Sequence, residues 1–136
     1  MREKKLRVVI DTNIFISFLL NSNFARLDTI LIEGRAKLLL SDELVEELIS
    51  VLERPKFKKI ITTKDKEKLM AFFTAYGELI NVISKVKISR DPKDDFLLAL
   101  SIDGKATHLI TGDADLLELK KIRKTKILTI ADFLQL

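Results

Sequence analysis

Short apolar runs alternate along this chain with longer segments in which apolar residues recur at helical spacing. Residues 6–10 are apolar except for Arg7, as expected of a strand that is buried on both faces of a sheet. After Ser41, by contrast, apolar residues recur every three or four positions, which predicts a helix with one buried face. The alternation of strand and helix continues to the end of the chain. It predicts an α/β fold with a parallel sheet.

The predicted elements are short and closely spaced. Strands are predicted at residues 6–10, 38–40, 81–86, 108–111 and 126–129. Helices are predicted between Ser41 and Arg54-Pro55 and at residues 14–20, 28–33, 64–76, 94–102, 115–119 and 130–136. Only four glycines and two prolines interrupt the chain, which favours short loops. Because no linker, repeat or low-complexity tract is present, we expect residues 1–136 to form a single domain.

Composition narrows the chemistry that the chain can perform. Hydrophobic residues make up 47% of the sequence, enough for a complete core. Cysteine is absent, which excludes disulfides, thiolate metal sites and cysteine nucleophiles. The single histidine, His108, precedes a predicted strand and is expected to be structural. This argues against a Ser-His-Asp triad and against a histidine zinc site.

Net charge and hydropathy constrain the partners and the location of the protein only weakly. The net charge of +4 and the pI near 9.3 fit a polyanion partner, but many proteins without one are as basic. The apolar stretch at residues 14–20 is too short to span a membrane, and the N-terminal residues lack a secretory pattern. We therefore expect a cytoplasmic protein with no membrane partner.

Four acidic residues, far apart in sequence, follow predicted strands or lie on the helices after them. They are Asp11, Glu47, Asp94 and Asp113. Because the carboxyl ends of parallel strands meet at one edge of a sheet, these acids can meet there. A cluster of unpaired carboxylates would need a cation. Oxygen ligands alone favour Mg²⁺ or Mn²⁺.

Each acid also has a purely structural interpretation. Asp11 can cap the helix that follows it, and Asp94 and Asp95 can complement a helix dipole. Of the glutamates after Ser41, Glu47 lies beside the apolar stripe when residues are placed at 100° intervals. On geometry alone, however, a solvated glutamate is the commoner case. The choice between Asp94 and Asp95 stays open at this point.

Four short motifs together resemble the PIN-domain nucleases. They are Asp11-Thr12-Asn13, Ser41 followed by Glu47, Asp91-Pro92-x-Asp94-Asp95, and Thr111-Gly112-Asp113-x-Asp115. Their order and spacing are most similar to those of the compact prokaryotic, VapC-like PIN proteins, and the resemblance covers nearly the whole chain. It implies a three-layer α/β/α sandwich with a five-stranded parallel sheet in the order 3-2-1-4-5. It also implies cleavage of single-stranded RNA with Mg²⁺ or Mn²⁺.

The resemblance also implies roles for individual residues. The catalytic, metal-binding acids would be Asp11, Glu47, Asp94 and Asp113, with Asp115 as an auxiliary metal ligand and Asn13 and Thr111 as supporting polar residues. Asp94 is chosen over Asp95 because the motif places it seven residues before Ser101, where the family often has alanine. Asp95 is kept as the alternative.

The same resemblance implies partners. VapC-like proteins are often toxins of toxin–antitoxin pairs, so it implies an antitoxin and a homodimer in addition to single-stranded RNA. The alternatives are an RNA-processing PIN nuclease outside any toxin pair and an inactive PIN-fold binding module, although the presence of all four acids argues against the latter. A receiver or phosphatase fits poorly, since such a phosphatase would need an acid at Asn13. Candidate contacts to RNA phosphates are Lys56, Lys58, Lys59 and Lys93, each of which is more often simply solvated.

Overall fold

A computed structural model describes residues 5–21, 25–87 and 92–136. The strands are β1 (Leu6–Ile10), β2 (Ala36–Leu40), β3 (Gly77–Leu79), β4 (His108–Ile110), β5 (Lys121–Ile122) and β6 (Thr125–Leu128). The helices are α1 (Thr12–Asn21), α2 (Ala25–Ile32), α3 (Asp42–Leu52), α4 (Pro55–Lys58), α5 (Thr63–Tyr76), α6 (Pro92–Asp103), α7 (Ala114–Leu119) and α8 (Ile130–Phe133). None of these helices has the length and apolar content needed to cross a membrane.

All six strands form one sheet in the order β3-β2-β1-β4-β6-β5. The pairs from β3 through β6 are parallel, and β5 joins the edge as a short antiparallel strand. The predicted α/β/α fold with five parallel strands is therefore confirmed, because β6 is the fifth parallel strand in chain order. The additional strand β5 was not predicted. It turns into β6 through Arg123, which has a φ of 50°, so no glycine marks the turn in the sequence.

The third strand was predicted in the wrong place. Residues 81–86 alternate between exposed and half-buried positions, but they form no strand, and β3 instead follows α5 directly. In that segment the backbone N–H groups of Ile83 and Ser84 donate to Oδ2 of Asp103, at 2.7 and 2.8 Å. A side chain thus takes the place of a neighbouring strand as their hydrogen-bond partner, and periodicity alone cannot reveal this.

The predicted helices are present with shifted ends, and one helix was missed. The last helix ends at Phe133 rather than continuing to residue 136. The unpredicted α4 is a single turn that begins with Pro55, whose fixed φ suits a first helical position. Ser41 caps α3 as expected, because its hydroxyl accepts a hydrogen bond from the backbone N–H of Leu44 at 3.2 Å.

The central strands are buried on both faces, and the polar exception in β1 has a structural role. Val8, Val9 and Ile10 are fully buried. Arg7 donates from Nε to the carbonyl of Gly104 at 2.9 Å and pairs with Glu78 at 2.6 Å. It therefore ties the amino end of β1 to β3 and to the residue that follows α6.

Candidate active site

Asp11 lies where β1 ends and α1 begins. Its backbone N–H donates to the carbonyl of Ile110 at 2.9 Å, which continues the β1–β4 pairing by one residue. Its carboxylate is buried and accepts hydrogen bonds from Thr111 Oγ1 at 2.7 Å and from the backbone N–H of Asn13 at 3.3 Å. The second bond is a helix cap. Asp11 therefore caps α1, as its structural interpretation predicts. It also lies at the carboxyl edge of the sheet, where a metal-binding acid is expected.

Asp113 is linked to Asp11 through one hydroxyl group. The backbone N–H of Asp113 donates to Thr111 Oγ1 at 3.0 Å, and the same hydroxyl donates to Asp11. The Asp113 carboxylate caps α7 by accepting from the backbone N–H groups of Asp115 and Leu116, at 2.8 and 3.2 Å. Thr111, which is fully buried, thus holds two of the candidate acids at adjacent strand ends.

The electrostatics of this pair favour a positive ligand. Burial raises the pKa of Asp11, the hydrogen bonds from Thr111 and Asn13 oppose that shift, and the negative charge of Asp113 raises the pKa further. Within the described residues, neither Asp11 nor Asp113 forms an ion pair with a basic side chain. A buried carboxylate beside a second acid is stabilised by a proton or by a cation.

Glu47 reaches the same edge through Thr12. It is half-buried on α3, whereas Glu43, Glu46 and Glu53 are exposed. Its Oε2 accepts a hydrogen bond of 2.8 Å from Thr12 Oγ1, in the residue next to Asp11. Sequence reasoning did not assign Thr12 this role. Its position beside Asp11 was the available signal, because a buried hydroxyl in a helix's first turn needs a partner.

Asp94 lies in the first turn of α6, which we expect to reach the sheet edge that carries Asp11. The far end of α6 is fixed beside the start of β1 by the bond from Arg7 to Gly104, so the helix runs antiparallel to that strand. At about 1.5 Å per residue its 12 residues can span the sheet. Oδ2 of Asp94 is shielded from solvent. Asp95 is also half-buried, and Asp91 and the Lys93 side chain lie outside the described residues.

The remaining predicted residues have more local roles. Asp115 is half-buried in the first turn of α7. The Asn13 side chain is exposed, and its backbone rather than its amide contacts Asp11. His108 is structural, as expected, because its ring packs edge-on against Phe133 with centroids 5.5 Å apart. Burial, followed by the charge of Lys126, lowers the pKa of His108.

The carboxylate oxygens of the candidate acids suit a hard divalent ion, but the structure does not bring all of these acids together around one point. Within residues 5–21, 25–87 and 92–136, no three His, Cys, Asp or Glu side chains lie close enough together to hold a metal ion. The contacts instead link Asp11 to Asp113 and place Glu47 against Thr12. Carboxylates repel one another unless a cation lies between them. The buried carboxylate of Asp11 and the all-oxygen chemistry therefore fit Mg²⁺ or Mn²⁺.

The two roles of Asp113 can be separated by substitution. Asp113→Asn keeps a side chain that caps helices about as well as aspartate, so we expect little change in the free energy of unfolding. Asp113→Ala removes the cap and should cost about 1 kcal/mol in urea unfolding. Divalent-ion binding should weaken in both variants, because both lose the charge. Equal stability of the two variants would show that the cap contributes nothing.

Comparison with known proteins identifies the fold family. A sequence model of the PIN domain family matches residues 7–115. An uncharacterized protein of Methanocaldococcus jannaschii is 29% identical over 127 residues, which cover 91% of this chain and 81% of that protein.

Solved structures share the fold at low identity. VapBC2 from Rickettsia felis, bound to a DNA fragment from its promoter, matches with a TM-score of 0.60 at 18% identity, covering 90% of this chain and 97% of that one. The PIN domain endonuclease Utp24 gives 0.57 at 23% identity, with 91% and 84% covered. The PIN domain of human SMG5 gives 0.52 at 15% identity, with 95% and 96% covered. The family match extends from β1 to the first turn of α7, and the chain therefore belongs to the PIN domain family of nucleases.

Proposed function

We propose that this protein is an endoribonuclease that hydrolyses phosphodiester bonds in single-stranded RNA with the help of Mg²⁺ or Mn²⁺. The observation that carries the proposal is the buried Asp11 carboxylate, bonded through Thr111 to Asp113 and lacking a basic partner among the described residues. Near neutral pH, a bound cation would stabilise this arrangement. Family membership supports nuclease chemistry as the use of that cation.

The residues that would hold the metal are Asp11, Glu47, Asp94 and Asp113, with Asp115 as an auxiliary ligand. When bound, the ion would lower the pKa of a water molecule and offset charge on the scissile phosphate. Thr111 fixes one oxygen of Asp11, and the Asn13 backbone fixes the other. Each oxygen still has lone-pair capacity for a metal. Thr12 orients Glu47 in the same way.

A matched pair of glutamates tests the nuclease proposal. Glu47 is half-buried against Thr12, whereas its neighbour Glu46 is exposed on the same helix. With Mn²⁺ and end-labelled single-stranded RNA, the wild type should produce internal cleavage fragments. Glu47→Gln should reduce the cleavage rate at least about tenfold, since it removes a charged metal ligand. Glu46→Gln should cleave at the wild-type rate.

Two outcomes of this assay would contradict the proposal. If the wild type cleaves nothing with any divalent ion, the chain is an inactive PIN-fold binding module. If Glu47→Gln cleaves as fast as Glu46→Gln, the activity does not come from this edge of the sheet. Duplex RNA and single-stranded DNA, assayed in parallel, establish the preference for single strands.

A toxin role in a toxin–antitoxin pair is the biological setting that we infer. The similarity to VapBC2 supports it, with an antitoxin and a second copy of this chain as protein partners. Production of the wild-type protein should then arrest growth, production of Glu47→Gln should not, and the product of a small adjacent gene should restore growth. Cleavage of RNA without growth arrest would instead favour RNA processing outside any toxin pair.

A further inference from the structure

One segment of the chain has a marked excess of positive charge. Residues 54–68 contain seven Lys or Arg and two Asp or Glu, a net charge of +5 (seven minus two), compared with +4 for the whole protein. The segment includes α4 and the first turns of α5. Charge of one sign concentrated in a short stretch creates a local attraction for polyanions that the overall net charge conceals.

This basic segment folds around a cleft. The cleft has a volume of about 670 Å³, and its polar lining comes from Glu53, Lys58, Lys59, Thr62, Thr63 and Lys66. Three lysines and one glutamate thus line the cleft. Lys66 is half-buried, whereas Lys58 and Lys59 are exposed. The cleft combines a concave shape with a positive lining.

Its lysines are available for a ligand. None of the three forms an ion pair with another residue in the part of the chain that the structure describes. Nearby Lys56, by contrast, lies over the ring of Phe57 at 4.8 Å. A capping box between Thr62 and Asp65 already satisfies two backbone N–H groups at the start of α5, so the lysines are the main source of attraction for a polyanion.

The cleft lies at the carboxyl end of α3, the helix that carries Glu47. Glu53 follows the last residue of that helix and lies six residues after Glu47. At 1.5 Å and 100° per residue, the two positions are about 9 Å apart along the helix axis and about 120° apart around it. An extended polyanion that contacts Glu47 must therefore follow α3 for about 9 Å and pass part of the way around the helix to reach the cleft.

We propose that this lysine cleft, defined by Lys58, Lys59 and Lys66, binds the phosphate backbone of single-stranded RNA next to the acid site. The proposal rests on the proposed function and names the surface that holds its substrate. Lysines contact phosphates as point charges and carry no base preference. The cleft should therefore contribute affinity and salt dependence without sequence specificity.

A charge-matched pair of triple variants tests the lysine cleft. Lys58→Gln/Lys59→Gln/Lys66→Gln removes its three positive charges, and Lys85→Gln/Lys105→Gln/Lys124→Gln removes three exposed charges that lie outside the basic segment and do not line the cleft. Both are made in an Asp11→Asn background and titrated without divalent ions against a labelled single-stranded RNA at several salt concentrations. The slope of log K against log salt should fall by about two in the cleft variant, because each phosphate contact contributes about 0.7. The control variant should retain nearly the whole slope.

Other outcomes separate this inference from the nuclease proposal. Equal slopes in the two triple variants, or no RNA binding by the parent protein, would overturn the cleft assignment. Displacement of the RNA by poly-glutamate as effectively as by unlabelled RNA would also overturn it, because the cleft would then suit an acidic polypeptide. Intact binding that depends on the cleft, without cleavage by the wild type, would overturn the nuclease proposal alone. Circular dichroism of both variants confirms that they are folded.

Discussion

Asp11→Asn is expected to slow Mn²⁺-dependent RNA cleavage at least about a hundredfold, the scale of removing one electrostatic group from an active site. Asp11 is linked through Thr111 to Asp113, and its neighbour in the chain, Thr12, donates a hydrogen bond to Glu47. Asparagine has nearly the same shape, and with its oxygen towards the backbone N–H of Asn13 its amide can donate to Thr111 Oγ1, so both contacts are kept with the direction of one reversed. The variant should therefore lose activity chiefly through the lost charge.

The same substitution should not destabilise the metal-free fold near neutral pH. Burial raises the pKa of Asp11 above its usual 3.8, so the folded state holds the proton more tightly than the unfolded chain does. The stability from this group is present below pH 3.8 and is lost as the pH rises through the higher folded-state pKa. Asparagine has no such loss. Asp11→Asn should thus equal or exceed the wild type in stability near pH 7, and its advantage should vanish below about pH 3.8.

Urea unfolding over this pH range, without divalent ions, measures the difference. A variant that unfolds more easily than the wild type at neutral pH would show that the Asp11 charge has a stabilising partner in the fold. If Asp11→Asn cleaved RNA at the wild-type rate, the proposed active site would be contradicted, because the cleavage would not depend on the acids at this edge of the sheet. Glu46→Gln serves as the control in both measurements.

Leu48→Ala is expected to lower the free energy of unfolding by about 2–5 kcal/mol, the usual cost of truncating a leucine in a packed core. Leu48 is fully buried and directly follows Glu47 on α3. The loss combines the transfer free energy of the removed atoms with the cavity left in the core beside α3. Because α3 positions Glu47, activity at elevated temperature should fall together with stability.

Ile49 provides the control on the same helix. It is 40% exposed, so Ile49→Ala should change the free energy of unfolding by about 0.5 kcal/mol or less. Thermal and urea unfolding of both variants would check the rotation of α3 about its axis. If Ile49→Ala costs as much as Leu48→Ala, the helix does not present the Leu48 face to the core, and the placement of Glu47 is wrong as well.

The sequence predicts a strand correctly where a run of residues is buried on both faces of the sheet. It fails where a side chain, rather than a neighbouring strand, binds the backbone of the segment. The β1 run is uninterrupted except for Arg7, and its bounds were predicted without error. Residues 81–86 have the alternation of a strand, but Asp103, about twenty residues later, binds their backbone. The pattern of neighbouring residues cannot reveal a contact between positions about twenty residues apart. The β5–β6 turn was missed for a different reason, because Arg123 adopts a positive φ without being glycine.

The candidate site shows a similar division. The strand-end positions of Asp11 and Asp113 follow from the parallel sheet, and the burial of Glu47 follows from its angle on α3. The hydroxyl groups that join them were harder to foresee. Thr111 was expected to support the site, whereas the bond from Thr12 to Glu47 depends on how α1 packs against α3. That packing is set by tertiary contacts that the local sequence does not encode.

Calorimetric titration of Mn²⁺ into the wild type and into Asp11→Asn tests most directly whether a divalent-metal site exists at this edge of the sheet. It measures binding of the ion itself and does not depend on the choice of RNA substrate. A site built on the buried Asp11 carboxylate predicts saturable binding to the wild type. It also predicts that Asp11→Asn binds at least about tenfold more weakly. Equal binding by the two proteins, or no binding by the wild type, would contradict a divalent-metal site at this edge of the sheet.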